Sequence, residues 1–243
     1  MPGALVSGRT DAAPVRTALV TGASRGIGRA AAEALSAEGV RLVLSSRGGE
    51  ALEAAAEVTG GTAVAADLSR PEEVDRLARR AGDLLGDAPD VLVNNAGVFA
   101  LAPAAETPPE LFEEHLAVNL AAPFRLVRAF LPAMLERGSG SLVHVGSVAG
   151  REALPGNVAY SASKFGLRGM HEVLRAELDG TGVRSLLVEP GPVDTAAWDP
   201  LEPRLGEDLP ARDQMLRPER VARGILDLLG GRGSAELSLA AGP

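Results

Sequence analysis

No cysteine occurs among the 243 residues, which excludes a disulfide framework and a thiolate zinc site. Histidine is scarce: His115, His144 and His171 are spaced too widely in sequence for a metal-binding motif, so no metal is expected. Basic residues do not dominate, since 24 Lys and Arg stand against 32 Asp and Glu for a net charge of −8. With no basic stripe to track a phosphate backbone, nucleic acid is not an expected partner. Also missing are an apolar run long enough to cross a bilayer and an amino-terminal basic region followed by an apolar stretch. No membrane partner is expected, and the chain reads as a cytoplasmic protein. No linker, composition shift or solenoid-period repeat divides it.

What is present is 46% hydrophobic residues, enough for a sizeable core. Residues 1–14 are small, polar and aperiodic and read as a loose leader, leaving 15–243 as one domain. Short apolar runs at Thr17–Val20, Leu42–Ser45, Thr62–Ala66, Val91–Val93, Ser141–Gly146 and Val183–Val188 are strand candidates. They are continuous rather than alternating, as in strands covered on both faces. Helices are predicted at Gly26–Glu38, at Pro71–Leu85 with Ser69 as cap, at Ala117–Glu136 and at Ser161–Leu178. After Arg217 the chain reads as a helix to Leu229, then a strand at Ala235–Leu239 completing a sheet edge. The alternation predicts an α/β fold: a single doubly wound Rossmann-type domain whose largely parallel seven-stranded sheet has helices on both faces. The stretch from Ala196 to Met215, rich in proline and acid and holding Trp198, is either a mobile cover over a site or a surface excursion.

The first strand runs into Thr21-Gly22-Ala23-Ser24-Arg25-Gly26-Ile27-Gly28 and then directly into a helix. Glycines there let the backbone turn and approach a pyrophosphate, whose charge the helix N-terminus stabilises. The spacing differs from the Gly-x-Gly-x-x-Gly loop of two-domain dehydrogenases. Together with Asp67-Leu68 after the third strand, Asn94-Asn95-Ala96-Gly97 after the fourth and Pro190-Gly191-Pro192-Val193-Asp194-Thr195 after the sixth, it resembles the short-chain dehydrogenase/reductase family over most of Val15–Thr195. The resemblance implies a nicotinamide dinucleotide in contact with Gly22, Ser24, Gly26, Ile27, Gly28, Asp67, Leu68, Asn94, Ala96 and Gly97. Pro190, Gly191, Val193 and Thr195 would lie beside the nicotinamide.

Tyr160, the only tyrosine, and Lys164 are spaced to share one face of a helix. A phenol is a poor base at neutral pH, and a lysine ammonium one turn away is expected to lower its pKa. Ser147 sits at the carboxyl end of the fifth strand, where open α/β sheets hold ligands, and its hydroxyl can bond a substrate oxygen as charge develops. By resemblance, Tyr160 is the general acid of reduction and base of oxidation, Lys164 holds the nicotinamide ribose, and Asn119 anchors a water in a proton relay to Lys164.

Cofactor choice rests on charge. The second strand ends in Ser45-Ser46-Arg47, with no carboxylate until Glu50 to repel a 2′-phosphate, and Arg25 approaches from the glycine loop. NADP(H) is therefore expected, with Ser46 as a neutral neighbour. The substrate is expected to be a small carbonyl or alcohol compound, seated near Val148, Ala149, Ala153, Leu154 and Trp198. The expected activity is ketone reduction. Its alternatives are a 3-oxoacyl thioester reductase, disfavoured because Ala235–Pro243 lacks an Asp-Gly-Gly terminus, and a non-catalytic NADP(H)-binding sensor or scaffold. Nucleotide-sugar epimerases share the Tyr/Lys pair but have a different glycine spacing and a further substrate domain. Broad Ala, Leu and Val faces on the helices at 117–136 and 161–178 predict a homo-oligomer, a tetramer narrowly ahead of a dimer.

Overall fold

A computed structural model describes residues 15–204, 206–207, 209–231 and 234–240; the leader expected at 1–14 lies outside the described residues. In chain order these residues form β1 (Thr17–Thr21), α1 (Gly26–Ala37), β2 (Arg41–Ser46), α2 (Glu50–Thr59), β3 (Thr62–Ala65), α3 (Pro71–Leu85) and β4 (Val91–Asn94). There follow α4 (Pro109–Leu116), α5 (Ala122–Glu136), β5 (Gly140–Val145), α6 (Val158–Glu177), β6 (Val183–Pro190), α7 (Pro218–Leu229) and β7 (Glu236–Leu239). The strands make one seven-stranded sheet in the order β3-β2-β1-β4-β5-β6-β7, every pairing parallel. The expected doubly wound fold is therefore present, with β7 on the edge predicted for it.

Continuous apolar runs follow from burial on both faces. In β1, Ala18 and Val20 enter one core while Leu19 enters the other; Leu42 and Leu44 are likewise separated from Val43, and Val91 and Val93 from Leu92. Helices α1, α2 and α7 close the first face, and α3, α5 and the end of α6 close the second. Each fully buried Leu or Val contributes roughly 1.5–3 kcal/mol relative to exposure, so neither face can be given up. The strand order reverses between β1 and β4, and a cleft opens at their carboxyl ends.

Several local expectations are revised. Helix α2 was not anticipated, because its buried residues are only Leu52, Ala55 and Ala56, a weak stripe of mostly small side chains. Helix α4 was also missed, and through a π-helical turn at Ala117–Ala121 it continues into α5. The resulting stretch, Pro109–Glu136, is long and apolar enough by composition to cross a membrane, contrary to the expectation that no such segment exists. Its apolar residues Val118, Leu126, Phe130 and Met134 pack into the core, as in an ordinary core helix. Ser69 does not cap α3; Arg70 holds that position without a side-chain bond, and the Ser69 hydroxyl instead donates to Asp67 Oδ1 at 2.8 Å. Helix α6 starts at Val158 rather than Ser161, which draws Tyr160 into its first turn.

Candidate active site

The glycine loop is fastened to the end of β4 by hydrogen bonds that sequence spacing does not show. Thr21 Oγ1 donates to Val93 O and accepts from the N–H groups of Asn95 and Ala96, both at 3.1 Å. Asn95 Nδ2 donates to Thr21 O at 2.8 Å. Gly22 has φ +66°, and a Cβ there would lie 2.8 Å from Ala96 Cα; at Gly28 it would lie 2.3 Å from Gly22 O. No side chain caps α1, so its first N–H groups remain available to an anion. A bare backbone cradle opening on a helix N-terminus fits the pyrophosphate of a dinucleotide.

Beside the loop, Ser46 and Arg47 close β2 and Asp67 and Leu68 follow β3, all lining the cleft together with Arg25. The Ser69 hydroxyl and N–H hold the Asp67 carboxyl below the usual range, helped by Arg70 and Arg47. At the far end, Pro190, Gly191, Val193 and Thr195 line the cleft after β6. The cleft's volume is about 990 Å³, enough for a dinucleotide and a small second molecule.

Ser147, Tyr160 and Lys164 meet between these two ends. The Ser147 hydroxyl accepts the Ala149 N–H at 3.2 Å and lies beside the Tyr160 phenol in the cleft. Lys164 is buried, and its Nζ donates to Val145 O at 2.9 Å while standing 5.6 Å from the Tyr160 ring centre. Burial pulls the Lys164 pKa down to about 8. Burial also pushes the Tyr160 phenol up, opposed by Ser147, which reverses the expected direction. The physical reason is that desolvation of the phenol outweighs Ser147, while the ammonium donates to Val145 O and stands over the ring.

Gly28 and Asn94, expected to touch the cofactor, and Asn119, expected to anchor a relay water, do not line the cleft. Gly28 backs the loop. Asn94 is buried behind it with Nδ2 3.4 Å from His144 Nδ1, and the following Asn95, not anticipated as a cofactor-side residue, faces the cleft. Two adjacent asparagines give no sequence signal for choosing between them; strand alternation at the end of β4 decides. Asn119 sits in the π turn, where its amide accepts the Val98 N–H at 2.8 Å and donates to Val98 O and Ser163 Oγ. Both its amide hydrogens are used to tie the segment after Gly97 to α6.

The uncertain stretch after Thr195 covers the cleft. It forms a helical turn at Ala196–Arg204 and another at Arg212–Gln214, and Ala197, Trp198, Leu209 and Pro210 line the opening. Val148, Ala149 and Leu154 line it too, whereas Ala153 does not. Phe99, also unanticipated, stands edge-on to Tyr160 at 4.9 Å between ring centres and 5.0 Å from Trp198.

Comparison with known proteins agrees with this geometry. Residues 16–205 match the family described as short chain dehydrogenase. A 1-deoxy-11-beta-hydroxypentalenate dehydrogenase of Streptomyces exfoliatus is 43% identical over 188 residues, covering 74% of this chain and 68% of that one. A D-threitol dehydrogenase of Mycolicibacterium smegmatis is 39% identical over 193 residues, covering 76% and 74%. A metagenomic short-chain oxidoreductase solved in complex with NADP superposes with a TM-score of 0.78 at 32% identity, over 94% of this chain and 98% of that one. With sheet order, glycine cradle and sequence in agreement, the chain belongs to the short-chain dehydrogenase/reductase family, oxidoreductases that use a nicotinamide cofactor to interconvert CH–OH and C=O groups.

Proposed function

We propose that the chain is an NADP(H)-dependent ketone reductase in which Tyr160 is the general acid, and the base of the reverse reaction. The observation that carries this reading is the meeting of Ser147, Tyr160 and Lys164 in the same cleft as the glycine cradle. When bound, the dinucleotide supplies or accepts the hydride. Ser147 Oγ holds the ketone oxygen while the Tyr160 O–H gives it a proton. A phenol pushed up by burial is fully protonated at neutral pH, the form that reduction needs. The Lys164 ammonium, charged below about pH 8, stabilises the phenolate left behind. Asn119 and Ser163 hold the catalytic turn, since Ser163 Oγ donates to Tyr160 O at 2.7 Å.

Tyr160→Phe keeps the ring on Phe99 and removes only the hydroxyl that donates the proton. NADPH oxidation against a carbonyl panel, 3-oxoacyl thioesters included, is expected to fall about 10²–10⁴-fold with NADPH affinity kept. Activity within about tenfold of the parent overturns the assignment. A parent that binds NADPH and reduces nothing on the panel is a sensor or scaffold.

We also propose a homo-oligomer built on α5 and α6. Phe124 (53% exposed), Phe165 (47%) and Val173 (57%) leave a large apolar face on these helices uncovered. A tetramer stays narrowly ahead of a dimer. Light scattering that returns the 24.9 kDa mass of one chain at micromolar concentration overturns it.

A further inference from the structure

Aromatic residues are few in this chain: five Phe, one Trp and one Tyr. Three of these seven, Tyr160, Phe99 and Trp198, form one run of rings along the cleft, with 4.9 Å and 5.0 Å between successive centres. A contact made only to tack a loop to the body would be covered. Phe99 and Trp198 are instead half-buried and line the opening, with Leu101, Val148 and Leu154 around them.

The turn that carries Trp198 is bonded to the side chain of Arg212. Arg212 donates to Asp194 and Asp199, each at 2.8 Å, and to Glu202 and Thr195 O. Asp199 and Glu202 belong to the Trp198 turn, and Asp194 to the backbone that lines the cleft after β6. One planar guanidinium thus joins the Trp198 turn to the segment that follows β6. A lysine ammonium carries its donors on one atom and does not span carboxylates that Arg212 reaches separately through Nη1, Nη2 and Nε.

We propose that Phe99 and Trp198 determine specificity, forming an aromatic wall beside Tyr160 that favours ketones whose carbonyl carries a flat conjugated ring. Arg212 is the positioning residue that keeps Trp198 in that wall. The inference rests on the ketone-reductase reading of the same cleft. A flat ring gains edge or offset contact with the two aromatic faces, while a saturated ring of equal carbon count buries similar apolar area without it.

The test compares acetophenone with cyclohexyl methyl ketone. The ratio of their kcat/KM values is measured in the NADPH-loaded parent and in the Phe99→Leu, Trp198→Leu, Arg212→Ala and Arg212→Lys variants, so the ketones' own reactivity cancels. The ratio is expected to fall roughly three- to tenfold in Phe99→Leu and in Trp198→Leu. Arg212→Ala should raise KM for acetophenone by a larger factor than it lowers kcat. Because Trp198 is the only tryptophan, its emission should shift towards the solvent-exposed value in that variant, and Arg212→Lys should restore neither property. Ratios within about 1.5-fold of the parent in both ring variants overturn the wall. Arg212→Lys behaving as the parent overturns the clasp. If the parent reduces neither ketone, the reductase reading is judged by the carbonyl panel, and the wall separately by calorimetric binding to the NADP⁺-loaded protein. There, tighter binding of acetophenone that disappears in Phe99→Leu upholds it, and equal binding of the two ketones by the parent overturns it.

Discussion

The two halves of the cleft are built by different means. On the dinucleotide side, the glycine loop touches β4 through backbone groups, Thr21 and Asn95, and room for even one methyl is lacking at Gly22 and Gly28. On the side proposed for the ketone the walls are exchangeable side chains, Phe99, Leu154 and Trp198, the last on a turn bonded to Arg212 by ion pairs. A ligand shared by a whole family is matched by backbone geometry, which leaves no room for an added side chain at Gly22 and Gly28. A variable one is matched by side chains that can be replaced without moving the frame.

The sharpest way to break this comparison is one methyl on each side. Gly28→Ala places a Cβ 2.3 Å from Gly22 O and 2.4 Å from Asn95 Nδ2, contacts that force the loop to move. A displacement near 1 Å costs on the order of a hundredfold in function, and overpacking typically costs about 1–3 kcal/mol of stability. We expect NADPH binding by calorimetry to weaken at least that much. Leu154→Ala, in a residue 41% exposed on the other wall, should leave melting temperature and NADPH affinity unchanged and move only ketone KM. A Gly28→Ala protein that binds NADPH like the parent erases the distinction.

Lys164 lies at the seam of the two halves and sharpens the comparison through pH. Its ordinary pKa of 10.5 falls to about 8 in the fold because burial penalises the ammonium. Between these values the unfolded chain binds more protons than the folded one, so this group makes stability rise with pH. Below pH 8 both states are protonated and the full cost of burying the charge, about 3 kcal/mol, is present. Lys164→Met removes that cost and leaves Val145 O without its donor, a loss of about 1–3 kcal/mol. Urea melts without cofactor should show the variant at least as stable as the parent at pH 7 and clearly less stable at pH 10, while ketone reduction is lost. A stability gap of the same size at both pH values refutes the burial account.

How much of this was legible in the sequence follows the same division. Tyr160 and Lys164 share a helix, Ser147 ends a strand and the glycine loop joins strand to helix, so local spacing revealed them. The sheet was legible because apolar runs report burial on both faces. Which of Asn94 and Asn95 lines the cleft is not legible, because it depends on which residue β4 turns inward. Phe99 and Arg212 reach Trp198 and Asp194 from segments distant in the chain, a pairing that no local pattern announces. The π turn joining α4 to α5 and the rise of the Tyr160 pKa likewise depend on packing rather than on spacing.

The smallest expected effect concerns the outer rim of the dinucleotide half, where matching passes from backbone to side chains. Arg25 and Arg47 both line the cleft near Ser46, and both are exposed. No carboxylate ends β2, so nothing there repels a 2′-phosphate, and a guanidinium can bond it with two N–H groups. A charge-assisted bond contributes about 1.5–3 kcal/mol when well formed, and solvent at these positions favours the lower figure. Arg25→Ala and Arg47→Ala should therefore each lower the NADPH-over-NADH ratio of kcat/KM roughly tenfold, and the double variant towards a hundredfold. Use of NADH should barely change, because its ribose presents hydroxyls where NADPH presents the phosphate. Rising salt should shrink the parent's preference for NADPH, since an exposed phosphate–guanidinium pair is screened, and should leave the double variant flat. A parent that prefers NADH, or a ratio that neither substitution moves, would place cofactor choice outside this rim and overturn the NADP(H) assignment.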